Sequence, residues 1–317
     1  MKRNLNIGSL NVRGCKSVEE RETVIKDCIL NDIDIIGITE THVAETGLEN
    51  FKLENKEYIL YHCGEANDNY HGVGFAVKKE LQPTFKQLSG NLCKCEINLK
   101  NRKLVAIVAY APTLSKSEKN PEIRESFYEQ LDKAINQVAN RHALVVLGDF
   151  NAKTGSAWKE YPEVMGKFGK GLVNNNGLAL LECMKTNGMV LTNTLFRHKL
   201  SHITTWEAPM KTFTNKSENK LLLGPDGKPR RNPFRNQIDY IAVRSEHRRF
   251  VKNSKSTNNI NTETDHKMVK TEMNFEWYKM KKNKKEKVEK VNMSNFSNKE
   301  KQQEYKKKLI EKILIRI

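Results

Sequence analysis

The chain has 317 residues, 38% of them hydrophobic, which supplies a substantial core and excludes a chain disordered throughout. Its 55 basic and 38 acidic residues leave a formal charge of +17, which favours a polyanionic partner: nucleic acid, an anionic membrane surface or a phosphorylated small molecule. No apolar run has the length of a membrane span, the first residues lack a signal-peptide core, and the six cysteines form no CxxC pair; a soluble, cytosol-made chain with reduced thiols is expected.

In chain order, short apolar runs that read as buried strands cover residues 5–12, 33–39, 72–77, 104–110, 144–147, 189–191 and 238–243. Helices are predicted over 18–30, where Ser17 and Glu20 form a capping box, and over 121–139, where Ile123, Phe127, Leu131, Ile135 and Val138 recur at helical spacing. A third covers 177–186. Cys93 and Cys95 fall in a strand-like stretch and point to one sheet face, as buried small hydrophobes do. Strands outnumber helices and do not alternate with them one for one, which favours a mixed α/β sandwich over a doubly wound sheet. Residues 207–236 are polar, carry four prolines and read as a long surface loop with a turn at 225–227. From 276 to 317, 14 basic residues stand against 6 acidic ones. That division predicts a folded body over 1–275 and a Lys-rich extension or linker over 276–317, solvated and available for nuclear import or extra nucleic-acid contact.

The chemistry lies where apolar strands end, because a polar residue at the last strand position emerges at one edge of a sheet. Five segments do this: LNVR at 10–13, GITET at 37–41, VAYAP at 108–112, LGDFN at 147–151, and QIDYI at 237–241 with TDH at 264–266. Phosphodiester hydrolysis needs a hard divalent cation held by oxygen ligands, and Glu40, Asn11 and Asp265 suit Mg²⁺, or Mn²⁺ in its place. It needs a base to orient and deprotonate water, for which Asp149 is the candidate. It needs donors to the phosphate oxygens, which Asn151, Tyr110 and His266 supply, with Asp239 as the anion that holds a protonated His266. Asp149 and Asn151, two apart, are expected on one side of an extended segment. Taken singly, each residue also has an ordinary role as a cap, a turn former or a half-buried aromatic; their joint order points to the chemistry.

At these residues the sequence resembles the endonuclease/exonuclease/phosphatase superfamily, which includes deoxyribonuclease I and the apurinic/apyrimidinic repair endonucleases. The resemblance covers about residues 4 to 275. It implies two packed mixed β-sheets flanked by helices, a four-layer α/β/β/α sandwich with the site at one edge. It implies that Asn11 organises the metal and Glu40 binds it, that Tyr110 contacts the phosphate, that Asp149 and Asn151 position the nucleophile and stabilise the transition state, and that Asp239, Asp265 and His266 are the family's Asp and His partners. Arg13 stands where the repair enzymes tend to carry an acidic residue, which speaks against a two-metal arrangement, and Thr113 where they often carry an asparagine.

A narrower likeness, carried by LNVRG, ITETH, YAPT, GDFNAK, RRNPFRNQIDYI and TDHKMVK, is to the endonuclease domain of non-LTR retrotransposons and their host-encoded craniofacial development protein 2-like relatives. It implies nicking of double-stranded DNA in the nucleus to expose a 3′-hydroxyl, in a truncated element product, a fragmentary gene model or a domesticated endonuclease. Arg13, Arg230, Arg231, Arg235, His247, Arg248 and Arg249 are the expected phosphate contacts, and Trp206 reads as core more readily than as a base-stacking ring. RNA would serve the same chemistry as a second substrate. A phosphatase of the superfamily, disfavoured by Lys153 and by RNQIDYI, and a catalytically silent nucleic-acid-binding domain are the rival readings.

Overall fold

A computed structural model describes residues 4–65, 71–99, 102–208 and 235–275. The expected turn at 225–227, Arg230, Arg231 and the basic extension over 276–317 lie outside the described residues. One sheet has seven strands: β1 (Asn4–Asn11), β2 (Ile35–Thr39), β3 (Gly47–Leu53), β4 (Lys56–Cys63), β5 (Val73–Lys78), β14 (Val251–Thr257) and β15 (Met268–Asn274), in the spatial order β14-β15-β1-β2-β5-β4-β3. The second has six: β6 (Thr84–Ser89), β7 (Leu92–Leu99), β8 (Arg102–Tyr110), β9 (Ala143–Asp149), β10 (Met189–Leu191) and β13 (Asp239–Arg244), ordered β10-β13-β9-β8-β7-β6. Two short strands, β11 (Trp206–Glu207) and β12 (Arg235–Asn236), pair with each other at the bases of the proline-rich segment.

The central strands are buried along their whole length, as strands covered on both faces must be: β2, β5, β9 and β13 have no exposed position. Gly37, in the middle of β2, explains how closely the sheets meet. A Cβ there would come within 2.6 Å of Leu147 and 2.9 Å of Val108, so the residue is small because the facing sheet fills its space. On the outer face of the first sheet, Val24, Ile25 and Cys28 of α1 (Val18–Leu30) cluster with Leu10, Ile36, Ile38 and Tyr58. On the outer face of the second, Phe127, Leu131 and Ile135 of α3 (Pro121–Asn136) and Leu180, Leu181 and Met184 of α4 (Asn175–Thr186) cover Ile107, Val146 and Ala242. A short helix α2 (Leu114–Lys119) precedes α3. The result is the four-layer α/β/β/α sandwich. Helix α1 carries the Ser17–Glu20 capping box, and Cys93 and Cys95 are both buried. Ile123 departs from expectation: it belongs to the apolar stripe of α3 yet is 44% exposed.

Asp27, on the buried side of α1, ties the first helix to the segment that leads into the last strand. Its two carboxylate oxygens accept hydrogen bonds from the backbone N–H and side chain of Asn261 (2.6 and 2.9 Å) and of Thr262 (3.0 and 2.7 Å). Truncating such a carboxylate strands several donors, each costing about 1–3 kcal/mol if left unsatisfied. Asp27→Ala is therefore expected to lower the thermal midpoint by ten degrees or more on the order-of-magnitude scale of a few kcal/mol, whereas Asp27→Asn, which keeps half the acceptors, should fall between; calorimetric melts of the three proteins check the ranking.

Candidate active site

Strand register brings the expected residues to one edge. Asn11 lies opposite Thr39, the residue before Glu40, and Tyr110, Asp149 and Asp239 lie abreast on β8, β9 and β13. The exits of neighbouring strands are then pinned together: Val12 N–H donates to Thr39 O at 3.0 Å, Gly14 N–H to Glu40 O at 2.7 Å and Ala111 N–H to Asp149 O at 2.9 Å. Four residues beyond these strand ends, Arg13, Glu40, His42 and Asn151, have left-handed backbones with φ of 50°, 52°, 56° and 47°. Such conformations cost roughly 1 kcal/mol or more each, and the cross-strand bonds hold them. Gly148 has φ of 146°, and a Cβ on it would sit 1.8 Å from Ala109 O, so only glycine lets β8 and β9 run this close just before Asp149.

The side chains form one hydrogen-bonded group. Asn11 Nδ2 bridges two carboxylates, donating to Glu40 Oε1 at 2.8 Å and Asp149 Oδ2 at 3.0 Å, while Asn11 Oδ1 accepts from Arg13 N–H at 3.1 Å. Tyr110 Oη donates to Glu40 Oε1 at 2.6 Å. Asp149 Oδ1 accepts from Asn151 N–H at 2.8 Å, and Asn151 Nδ2 donates to Ala111 O at 2.9 Å. Asp149 and Asn151 thus reach one cleft through a turn closed by the aspartate, not by alternation along an extended segment. A cleft of about 420 Å³ is lined by Arg13, Glu40, Asp149, Asn151, Trp206, Asp265 and His266, among others.

The buried pair in the cleft wall sets the electrostatics. His266 Nδ1 lies 3.0 Å from Asp239 Oδ2, and its Nε2 lies 3.9 Å from both Asp149 Oδ2 and Asp265 Oδ1. Burial pulls the His266 pKa down, but the charge and hydrogen bond of Asp239, with Asp149 and Asp265 behind it, outweigh burial and raise it to about 9. For Asp149, burial and then the nearby Asp239 charge raise the carboxyl to about 7, against His266 and the donors from Asn151 and Asn11. Both shifts have the same sign for folding. His266, raised from 6.5, contributes stability that is complete below pH 6.5 and is lost as pH rises through about 9; Asp149, raised from 3.8, loses its contribution as pH rises through about 7. In EDTA the thermal midpoint is therefore expected to fall steadily between those limits, and His266→Asn should flatten the upper part of the profile.

Asp265 is held from two sides. Its Oδ2 lies 3.3 Å from the Arg13 guanidinium and accepts from Trp206 Nε1 at 3.0 Å. Its Oδ1 is buried without a hydrogen-bond partner among the described residues. Hard oxygen donors, namely the Glu40 carboxylate and this orphaned carboxylate oxygen, are the chemistry a divalent cation requires, so the residues fit one, with Asn11 orienting Glu40 through its Nδ2. Among the described residues Asp149, Asp239 and His266 also converge, with ligand atoms within 4.8 Å, as a group that could hold a metal ion. Of the set anticipated from sequence, Glu40 and Asp265 line one cleft and Asn11 is bonded to Glu40, while Arg13 and Trp206 engage Asp265.

Residues 6–266 match the model of the Endonuclease/Exonuclease/phosphatase family. The chain belongs to this family. Craniofacial development protein 2 of Bos taurus and that of Tragulus javanicus are each 29% identical to it over 266 residues, or 83% of the chain. The chain spans about two fifths of the length of these relatives, 40% and 41% respectively. Three solved structures share the fold at 13% identity, each aligned over 86% of this chain. They are the endonuclease domain of TRAS1, a telomere-specific non-LTR retrotransposon (TM-score 0.55, 98% of that chain), the AP endonuclease LMAP from Leishmania major (0.54, 88%) and the 3′-5′ exonuclease NExo from Neisseria meningitidis (0.53, 100%).

As a member of the endonuclease/exonuclease/phosphatase family the chain is a hydrolase of the nuclease and phosphatase superfamily. Several further residues support the site by fixing its backbone. Thr205 Oγ1 accepts from the N–H groups of Ile238 and Asp239 (3.0 and 3.1 Å), and Asn193 Nδ2 donates to Asp239 O at 3.0 Å. Thr264 Oγ1 donates to Asn11 O at 2.9 Å, which anchors the His266 turn on β1. Asn176, buried at the start of α4, donates to both Pro112 O and Asn151 O. Its only signal in sequence is an asparagine beside a helix cap.

The expected DNA-contact cations divide. Arg13 lines the cleft, and Arg235, next in sequence to cleft-lining Asn236, pairs with Glu207 at 3.2 Å across β11 and β12. His247, Arg248 and Arg249 do not belong there. They follow the far end of β13, whose six residues run from Asp239 in the site to Arg244, a span of roughly 17 Å at strand rise. His247 is moreover buried, and burial lowers its pKa to about 4, so it is no surface cation. Trp206 is half-buried and serves as a hydrogen-bond donor to Asp265 on the cleft wall.

Proposed function

We propose that the chain is a Mg²⁺-dependent endonuclease that nicks double-stranded DNA, in the manner of a retrotransposon endonuclease domain, with the nucleus as its place of action. The observation that carries this reading is one cleft in which a His266–Asp239 pair faces Asp149 while Asn11 and Tyr110 hold Glu40 beside it. Mg²⁺, or Mn²⁺, held by Glu40 with Asn11 and Asp265 would supply a Lewis acid for the phosphate oxygens. Asp149 accepts the proton of the attacking water, a task suited to a carboxyl raised toward neutrality. The water oxygen bonds to phosphorus as the bond to the 3′-oxygen breaks, and the departing 3′-oxygen takes a proton from solvent, which leaves a 3′-hydroxyl and a 5′-phosphate. His266, kept protonated by Asp239, and the Asn151 amide donate to the charge that grows on the phosphate oxygens. Tyr110 acts through Glu40, whose orientation it fixes.

The formal charge of +17 supports a nucleic-acid substrate, and the fold neighbours, each titled a nuclease, support a nuclease over a phosphatase. The test incubates purified protein with supercoiled plasmid, abasic duplex, single-stranded RNA and an inositol polyphosphate, with Mg²⁺ or EDTA. Mg²⁺-dependent relaxation of the plasmid is the expected result. Binding of DNA without cleavage would instead establish a silent binding domain, and phosphate release alone a phosphatase.

A further inference from the structure

Asp265 is compensated on one carboxylate oxygen and bare on the other. Its Oδ2 takes the Arg13 guanidinium at 3.3 Å and the Trp206 indole N–H at 3.0 Å, whereas Oδ1 is buried with no hydrogen-bond partner among the described residues. The two ends of the ion pair sit differently. The Asp265 side chain is 16% exposed and that of Arg13 50%, so the carboxylate is fixed in the cleft wall while half of the arginine lies open. A carboxylate so buried needs a counter-charge, and Arg13 supplies it. The contact runs through Nη1, which leaves N–H groups of the five-donor fork for a second anion. The same arginine is built into the turn that orients Glu40: its left-handed backbone, φ 50°, donates its N–H to Asn11 Oδ1 at 3.1 Å, and Asn11 Nδ2 donates to Glu40. A cation in that place opposes a divalent ion between Glu40 and Asp265, since it occupies one donor and repels the incoming charge.

We propose that Arg13 is an exchangeable counter-ion: it pairs with Asp265 before substrate binds and moves to a substrate phosphate when DNA arrives, which frees Asp265 for the cation. The anion in this exchange rests on the DNA-nuclease reading above. Arginine suits the task, because its planar fork matches the paired oxygens of a carboxylate and of a phosphate alike. Trp206 stays on Oδ2 and keeps the carboxylate in place after the arginine has left. Metal and DNA then strengthen each other's binding through one side chain, and the protein alone holds its metal weakly.

The experiment uses an Asp149→Asn background, in which cutting is slow, and adds Arg13→Gln or Lys153→Met to it. Mn²⁺ affinity of the protein alone is measured by calorimetry, duplex affinity by fluorescence anisotropy with Mn²⁺ or EDTA, and plasmid nicking by the wild type is run beside them. Lys153 lines the same cleft but forms no ion pair among the described residues, so it controls for the loss of a charge alone. Arg13→Gln is expected to bind Mn²⁺ about tenfold more tightly than its parent, the scale of one opposite charge at ion-pair distance. The factor by which Mn²⁺ tightens duplex binding should shrink by the same amount, as reciprocal linkage requires. Lys153→Met should weaken duplex binding and change neither quantity. Mn²⁺ affinity in Arg13→Gln that equals the parent's, falls below it or is matched by Lys153→Met overturns the exchange alone, provided the wild type nicks plasmid. A wild type that neither binds duplex nor nicks it overturns the nuclease reading and the exchange with it.

Discussion

Asp149→Asn is expected to lower the nicking rate by about 10³-fold, within the range that a positioned general base contributes, while leaving the protein at least as stable. The two halves of that outcome have separate causes. Asparagine keeps the shape of the side chain and an oxygen to accept from Asn151 N–H, now given at 2.8 Å, but it cannot take a proton from water. Its new amide nitrogen meets Asn11 Nδ2, a donor that now bonds Oδ2 at 3.0 Å, a local cost set against the relief of the buried charge. Stability holds or rises because the native carboxyl is fully buried beside Asp239, and burial with that neighbouring charge has raised it to about 7. Removing an ion that the fold disfavours relieves the native state at pH 8. Nicking rates and melting curves measured on the same preparation check both halves. A variant that loses activity only in proportion to lost folded protein would assign Asp149 a structural role.

Glu40→Gln tests the cation rather than the base. The glutamine oxygen can still accept from Tyr110 Oη and Asn11 Nδ2, which now meet Glu40 Oε1 at 2.6 and 2.8 Å, so the local geometry survives. What disappears is the negative charge that a hard divalent ion requires. Mn²⁺ affinity, measured by calorimetry, is expected to fall by at least about 10²-fold, beyond the loss typical of a ligand's supporting partner. Nicking should fall with it, and excess metal should restore part of the rate. DNA binding in EDTA should not change. Metal affinity equal to that of the wild type would move the cation to the Asp149, Asp239 and His266 group.

The strands that carry the site were legible in the sequence because they are buried on both faces and end at a polar residue. Ile35–Thr39 and Ala143–Asp149 read as apolar runs whose last or next residue faces the cleft, and Asp239–Arg244 as a run whose first residue supports it. Of the strands that escaped, β4 did so despite burying Tyr58 and Leu60, and β14 and β3 for want of a clean apolar pattern. In β14 the buried residues include Ser254 and Ser256; Ser254 meets Thr192 and Thr271 in a hydroxyl cluster with contacts of 2.8 to 3.0 Å, and such a strand leaves no trace in hydropathy. In β3 a large apolar residue, Leu48, points outward and is 56% exposed, so the alternation is scrambled. Within the site, Asn11, Glu40, Asp149, Asp239 and His266 could be found from type and position. The grip of Arg13 and Trp206 on Asp265 could not, since it joins residues 252 and 59 positions apart through turns that spacing does not encode.

Those separations have a consequence for the chain while it is being made. β1 finds its antiparallel neighbour only in β15, more than 250 residues later, and Asp27 is separated by 234 and 235 positions from Asn261 and Thr262. During synthesis β2 can pair with β5, and β8 with β9, well before the His266 turn has left the ribosome. A nascent chain would therefore display Glu40 and Asp149 on a half-built edge with no imidazole opposite them, and under the proposed function would stay unable to cut the nucleic acid around it until β15 closed.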